Sequence, residues 1–110
     1  MNITVKSNTG VAVLSISGRL DAVSAPLLKK EFTNLLKDNR HFVFDMAGMD
    51  FVDSTGLGSI VGCLKSAVES DGNIKLLHLQ EKPRMVFEIT RAYKIFEIFD
   101  DLDTAIKSYR

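Results

Sequence analysis

Short apolar runs of strand length alternate along this chain with stretches whose apolar residues recur every three or four positions, and that alternation restricts the folds open to it. Ile3 and Val5 alternate with polar neighbours, Asn8-Thr9-Gly10 supplies turn chemistry, and Val11 to Ser17 resumes with β-branched residues, so the chain opens as a hairpin. Ser24-Ala25-Pro26 then offers an N-cap with proline in the first turn, and Leu28, Phe32, Leu35 and Leu36 follow at helical spacing until Asp38-Asn39. Phe42-Val43-Phe44 is apolar on both faces and reads as a central strand. A connection over Met46–Val52 leads to Asp53-Ser54-Thr55, three N-capping residue types in a row, and to a second helix with Leu57, Ile60, Val61, Leu64 and Val68 on one stripe.

Asp71-Gly72-Asn73 breaks that helix, and Ile74 to Leu79 reads as the next strand. Lys82-Pro83 opens a third helix, with Met85, Val86, Ile89 and Ala92 as its apolar positions. Ile95 to Phe99 is a last short strand. Asp100, Asp101 and Asp103 then front a terminal helix ending in Lys107 and Arg110, which suits the helix dipole. The expected order is ββαβαβαβα, one α/β domain over residues 1–110 with a mostly parallel mixed sheet, edged by the N-terminal hairpin and packed with helices.

Composition narrows what such a domain can do. Lys plus Arg and Asp plus Glu both count 14, so no net field concentrates nucleic acid or anionic lipid at its surface. The apolar runs fall far short of the ~20 residues that cross a bilayer, and Met1 to Gly10 lacks the pattern of an export signal. Cys63 is alone and can form neither an internal disulfide nor a zinc cluster, which suits a small packed residue in a reducing compartment. These features point to a cytoplasmic protein without direct nucleic-acid binding or membrane insertion.

Function is concentrated around Ser54, where a strand gives way to a helix, the region in which open α/β folds meet their ligands. The free N–H groups of a first helical turn and the helix dipole both tolerate added negative charge, so a phosphate on Ser54 fits; plain N-capping is the competing reading. The helix that follows carries Gly56, Gly58 and Gly62, although interior glycine costs ~1 kcal/mol relative to alanine. Gly58 and Gly62 lie one turn apart, away from the apolar stripe and beside Lys65 and Glu69, and leave a bare patch where another backbone can approach.

Catalytic readings of the same residues fit less well. Gly56-Leu57-Gly58 with Gly62 and Glu81 suggests a dinucleotide fingerprint, but the third glycine is one residue late. A nucleophile elbow at Ser54 has Val52 where glycine is required, and His41 and His78 both read as strand residues. Asp45, Asp50 and Asp53 lack the ligand spacing of a calcium loop. No catalytic residue, metal or cofactor is assigned.

The run Phe51-Val52-Asp53-Ser54-Thr55-Gly56-Leu57-Gly58 resembles the phosphorylation motif of STAS domains, specifically those of bacterial anti-sigma factor antagonists. Gly18-Arg19-Leu20-Asp21 resembles the family's Gly-x-Leu-Asp after its second strand, and the order of elements agrees along the whole chain. The resemblance implies a switch protein without catalysis. Unphosphorylated, it binds an anti-sigma factor, often also a serine kinase of the histidine-kinase-like ATPase fold, and so releases a sigma factor. Phosphorylation of the motif serine, here Ser54, switches it off, and a PP2C-type phosphatase reverses the change. Asp21 and Asp53 match the acids that touch the partner, and Thr55, Gly56 and Gly58 complete the motif, with Gly62 extending the patch. The alternative role for a stand-alone STAS domain is as a subunit of a lipid-transporting ABC system or another signalling complex.

Overall fold

A computed structural model describes residues 1–110. The hairpin forms as read: β1 (Asn2–Asn8) pairs antiparallel with β2 (Val11–Leu20) across a two-residue turn. Thr9 and Gly10 take φ of 50° and 85°, the left-handed pair that matches the twist of a tight hairpin. β2 is followed by α1 (Ala25–Leu35), β3 (His41–Asp45), β4 (Met49–Val52), α2 (Ser54–Glu69), β5 (Asn73–Leu77) and α3 (Glu81–Ile89). A 3-10 turn (Ala92–Lys94), β6 (Ile98–Phe99) and α4 (Leu102–Lys107) complete the chain.

The strands form one mixed sheet in the order β1-β2-β3-β5-β6, antiparallel at the hairpin and parallel elsewhere. Alternation along each strand divides the interior in two. Ala12, Leu14, Ile16, Phe42, Phe44, Ile74 and Leu76 face the main core, where Leu28 and Phe32 of α1, Ile60 and Leu64 of α2, and Phe87 of α3 cover them. Val11, Val13, Val43 and Leu77 face the other way, under Ala105 and Ile106 of α4. β3 is apolar on both faces because it serves both layers, and Phe42, Val43 and Phe44 are fully buried.

Several expectations need correction. Met46–Val52 is not merely a connection: Met49–Val52 forms β4, which pairs in parallel with the far end of β2 after a register shift at Gly18/Arg19. β2 is long enough to serve β3 with its first half and β4 with its second. The strand read over Ile74–Leu79 stops at Leu77, and the one read over Ile95–Phe99 shrinks to two residues behind the 3-10 turn. In α3 the buried residues are Pro83 and Phe87, whereas Met85 and Ile89 face solvent. Val68 is likewise outside the stripe of α2.

Candidate functional site

β2 and β4 end side by side, Leu20 opposite Val52, so the next residue of each strand, Asp21 and Asp53, falls on neighbouring positions at one end of the sheet. The Asp53 N–H donates to the Leu20 carbonyl at 3.3 Å, which ties the two strand ends together. Asp53 then caps α2: its backbone is extended (φ −104°, ψ −175°), and Oδ1 accepts the Gly56 N–H at 2.7 Å. Its carbonyl accepts the Leu57 N–H at 2.8 Å, the first bond of the helix. Among the three capping residue types in this stretch the aspartate does the capping, so the N-cap reading of Ser54 gives way.

Ser54 is therefore the first residue inside the helix. It and Thr55 are exposed, with their side chains outside the bonds that close the cap. Gly56 has a packing role. It is buried, and a Cβ there would collide with the Leu20 carbonyl oxygen, so glycine is required for the helix to seat against β2. Gly58 and Gly62 behave differently. Both are exposed, a Cβ on either would meet nothing within 4 Å, and both border a shallow groove floored by Phe32 and Cys63.

Asp21 organises the loop beside the serine. Its Oδ1 accepts the N–H groups of Val23 at 3.0 Å and Ser24 at 3.1 Å, and Arg19 Nε stands 3.7 Å from Oδ2. The Ser24 N–H first, with the Val23 N–H, the Ser24 hydroxyl and Arg19 adding to it, holds the Asp21 carboxyl below the usual carboxylate range against the opposing effect of desolvation. Ser24 precedes α1 but does not cap it with its side chain; its hydroxyl donates to the Arg19 carbonyl at 2.7 Å and accepts the Asp21 N–H at 3.0 Å. The Arg19 guanidinium lies 3.9 Å from the centre of the Phe51 ring, bridging the loop back to β4. The result is a rigid turn that presents Val23 to solvent with 89% of its surface free. The sequence carries little sign of this net, because Ser24 before Ala25-Pro26 has the signature of a helix cap.

The remaining candidates fall elsewhere. His78 sits just past β5 with φ 56° and places Nδ1 3.1 Å from Asp45 Oδ1, and His41 stacks on Tyr109 with ring centres 4.5 Å apart. Asp45, Asp50 and Asp53 do not converge: one meets His78, one is exposed on β4 and one caps α2. Burial pushes the Cys63 thiol up to about 12, as befits an inert packed residue. No helix is long and apolar enough to cross a membrane.

Comparison with known proteins adds an independent line. The family profile described as STAS domain matches residues 2–105. An anti-sigma-B factor antagonist of Bacillus subtilis is 32% identical over 98 residues, covering 89% of this chain and 90% of that relative. One from Staphylococcus epidermidis is 30% identical over 91 residues, covering 82% and 84%. Among solved structures, an anti-sigma factor antagonist from Mycobacterium paratuberculosis superposes with a TM-score of 0.86 at 25% identity over 97% of this chain and 92% of that one. Unphosphorylated SpoIIAA, at 18% identity, shares the fold with a TM-score of 0.84, covering 99% and 96%.

Proposed function

The chain belongs to the STAS domain family, and from that premise we propose that it is an anti-sigma factor antagonist whose docking is governed by phosphorylation of Ser54. The observation that carries this reading is the placement of Ser54: exposed, at the first position of α2, and outside the completed Asp53 cap. A kinase can reach the hydroxyl without opening the fold. The anti-sigma relatives supply the partner class. In the unmodified state the protein binds an anti-sigma factor, which is also a serine kinase of the histidine-kinase-like ATPase fold, and thereby frees a sigma factor. A phosphatase of the PP2C type restores the hydroxyl. The protein acts by binding, in the cytoplasm, without catalysis of its own.

The physics of the switch follows from the site. Phosphorylation adds roughly 1.5 to 2 negative charges at pH 7. Those charges arrive at a helix N-terminus, where the dipole and the first-turn N–H groups favour them, so the fold absorbs them. The interface does not, because the new group is bulky, needs solvation and stands beside Asp53 and Asp21. Thr55, Gly58, Gly62 and the Asp21 loop form the surface that the partner covers, with Asp53 holding it in shape.

Calorimetric titration with the cognate anti-sigma factor tests the reading. Ser54→Asp is expected to keep the native circular dichroism spectrum and lose the partner, whereas Ser54→Ala is expected to bind and to take up no phosphate in the presence of the kinase. Undiminished affinity of Ser54→Asp, or a phosphopeptide that maps to another residue, overturns the proposal.

A further inference from the structure

The sheet has one long unprotected edge, and it lies on β1. Asn8 and Val11 flank the two-residue turn as the closing hydrogen-bonded pair. Alternation then turns the N–H and C=O groups of Asn2, Thr4, Lys6 and Asn8 toward β2, and those of Ile3, Val5 and Ser7 toward open solvent. Seven residues of regular strand pair without a register shift, and they contain no proline and a single charge, Lys6. These are the devices by which edges are usually blunted, and here only the lysine is present.

The side chains along this edge complement themselves. Ile3 and Val5 share the face that looks toward the main core; Ile3 is partly covered by it and Val5 remains 42% exposed. When two copies approach antiparallel about a two-fold axis at Thr4, Ile3 of each lies opposite Val5 of the other. Their outward backbone groups meet as hydrogen-bonded pairs, and the two Thr4 side chains meet across the axis. Lys6 then faces the other copy's Asn2, so like charges stay apart. The balance of 14 basic and 14 acidic residues adds no overall repulsion between copies.

We propose that β1 pairs edge to edge with β1 of a second copy of this chain, in the register Ile3 opposite Val5, joining two sheets into one. The pairing is independent of the Ser54 switch, which lies at the ends of β2 and β4. Sedimentation equilibrium of the full chain over a wide concentration range tests it, with amide hydrogen exchange at the two extremes. The expected mass rises with concentration from the 12.2 kDa of one chain toward twice that value. Protection should increase at the Ile3 and Val5 amides and stay unchanged at Thr4 and Lys6, whose N–H groups already bond to β2. Val5→Lys and Val5→Pro both alter the open edge, the second by removing an outward N–H that the hairpin does not use. Both should remain folded and keep the mass of one chain throughout. A native chain that stays monomeric at the highest concentration overturns the proposal, as does a folded Val5→Lys that dimerises like the native chain, or protection that rises equally at all four amides.

Discussion

Gly56 and Gly58 stand two positions apart on one helix, and the same substitution should move stability in opposite directions. At Gly56 an alanine methyl has no room beside the Leu20 carbonyl, and α2 would have to lift away from β2. Gly56→Ala is expected to lose several kcal/mol, on the order of other overpacked core sites, or to abolish folding. At Gly58 the methyl meets nothing, so Gly58→Ala should gain up to ~1 kcal/mol from helix propensity alone. Urea unfolding of both variants checks the pair. Gly58→Arg should fold equally well yet fail to bind the anti-sigma factor, because it would fill the surface proposed for the partner. Helical spacing already sets Gly58 and Gly62 together on an open face. It gives no sign that Gly56 is a packing glycine, because that depends on the approach of the β2 end. Asp53 and Ser54 illustrate the same limit. Both are good capping types, and the choice between them depends on where β4 ends.

At the level of elements, legibility tracked length. α1, α2 and the hairpin carry enough periodic residues, or a strong enough turn, to be read directly. β4 has four residues, with Met49 and Val52 buried and Asp50 exposed, and it borders β2 only because β2 runs on past β3. That neighbour is a tertiary fact with no local signature. α3 departs from its sequence pattern for a related reason. Met85, Val86 and Ile89 satisfy helical spacing, but of these only Val86 packs against the core, and the buried row runs through Pro83 and Phe87. The distinction has a measurable consequence: Phe87→Ala should cost ~3–5 kcal/mol, since the ring is fully buried in an edge-on contact with Phe96. Ile89→Lys, at a position 79% exposed, should stay within ~0.5 kcal/mol of the native chain. Thermal and urea denaturation of the two variants distinguish the rows.

The whole molecule is lopsided, with three helices over one face of the sheet and α4 alone over the other. Its six residues cannot hold themselves helical, and docking must do so. Tyr109 supplies much of that anchorage: its hydroxyl lies 2.7 Å from the Phe42 carbonyl and 2.9 Å from that of Asn73, spanning the starts of β3 and β5. Lys75, buried beneath, reaches the Ser108 carbonyl at 3.3 Å and Glu97 at 3.4 Å and packs against the Tyr109 ring. Tyr109→Phe should therefore destabilise by ~1–3 kcal/mol, the usual result of stranding buried acceptors, and the loss should appear in the urea midpoint with an unchanged slope.

The cap on α2 closes through Asp53 without help from its neighbour. A hydroxyl that carries no architectural duty can be esterified and freed again with no folding work in either direction. On the proposed reading, traffic between the two forms would then be set by the enzymes that write and erase the mark and by how much of each the cell holds. The domain would contribute a surface and leave the timing to others.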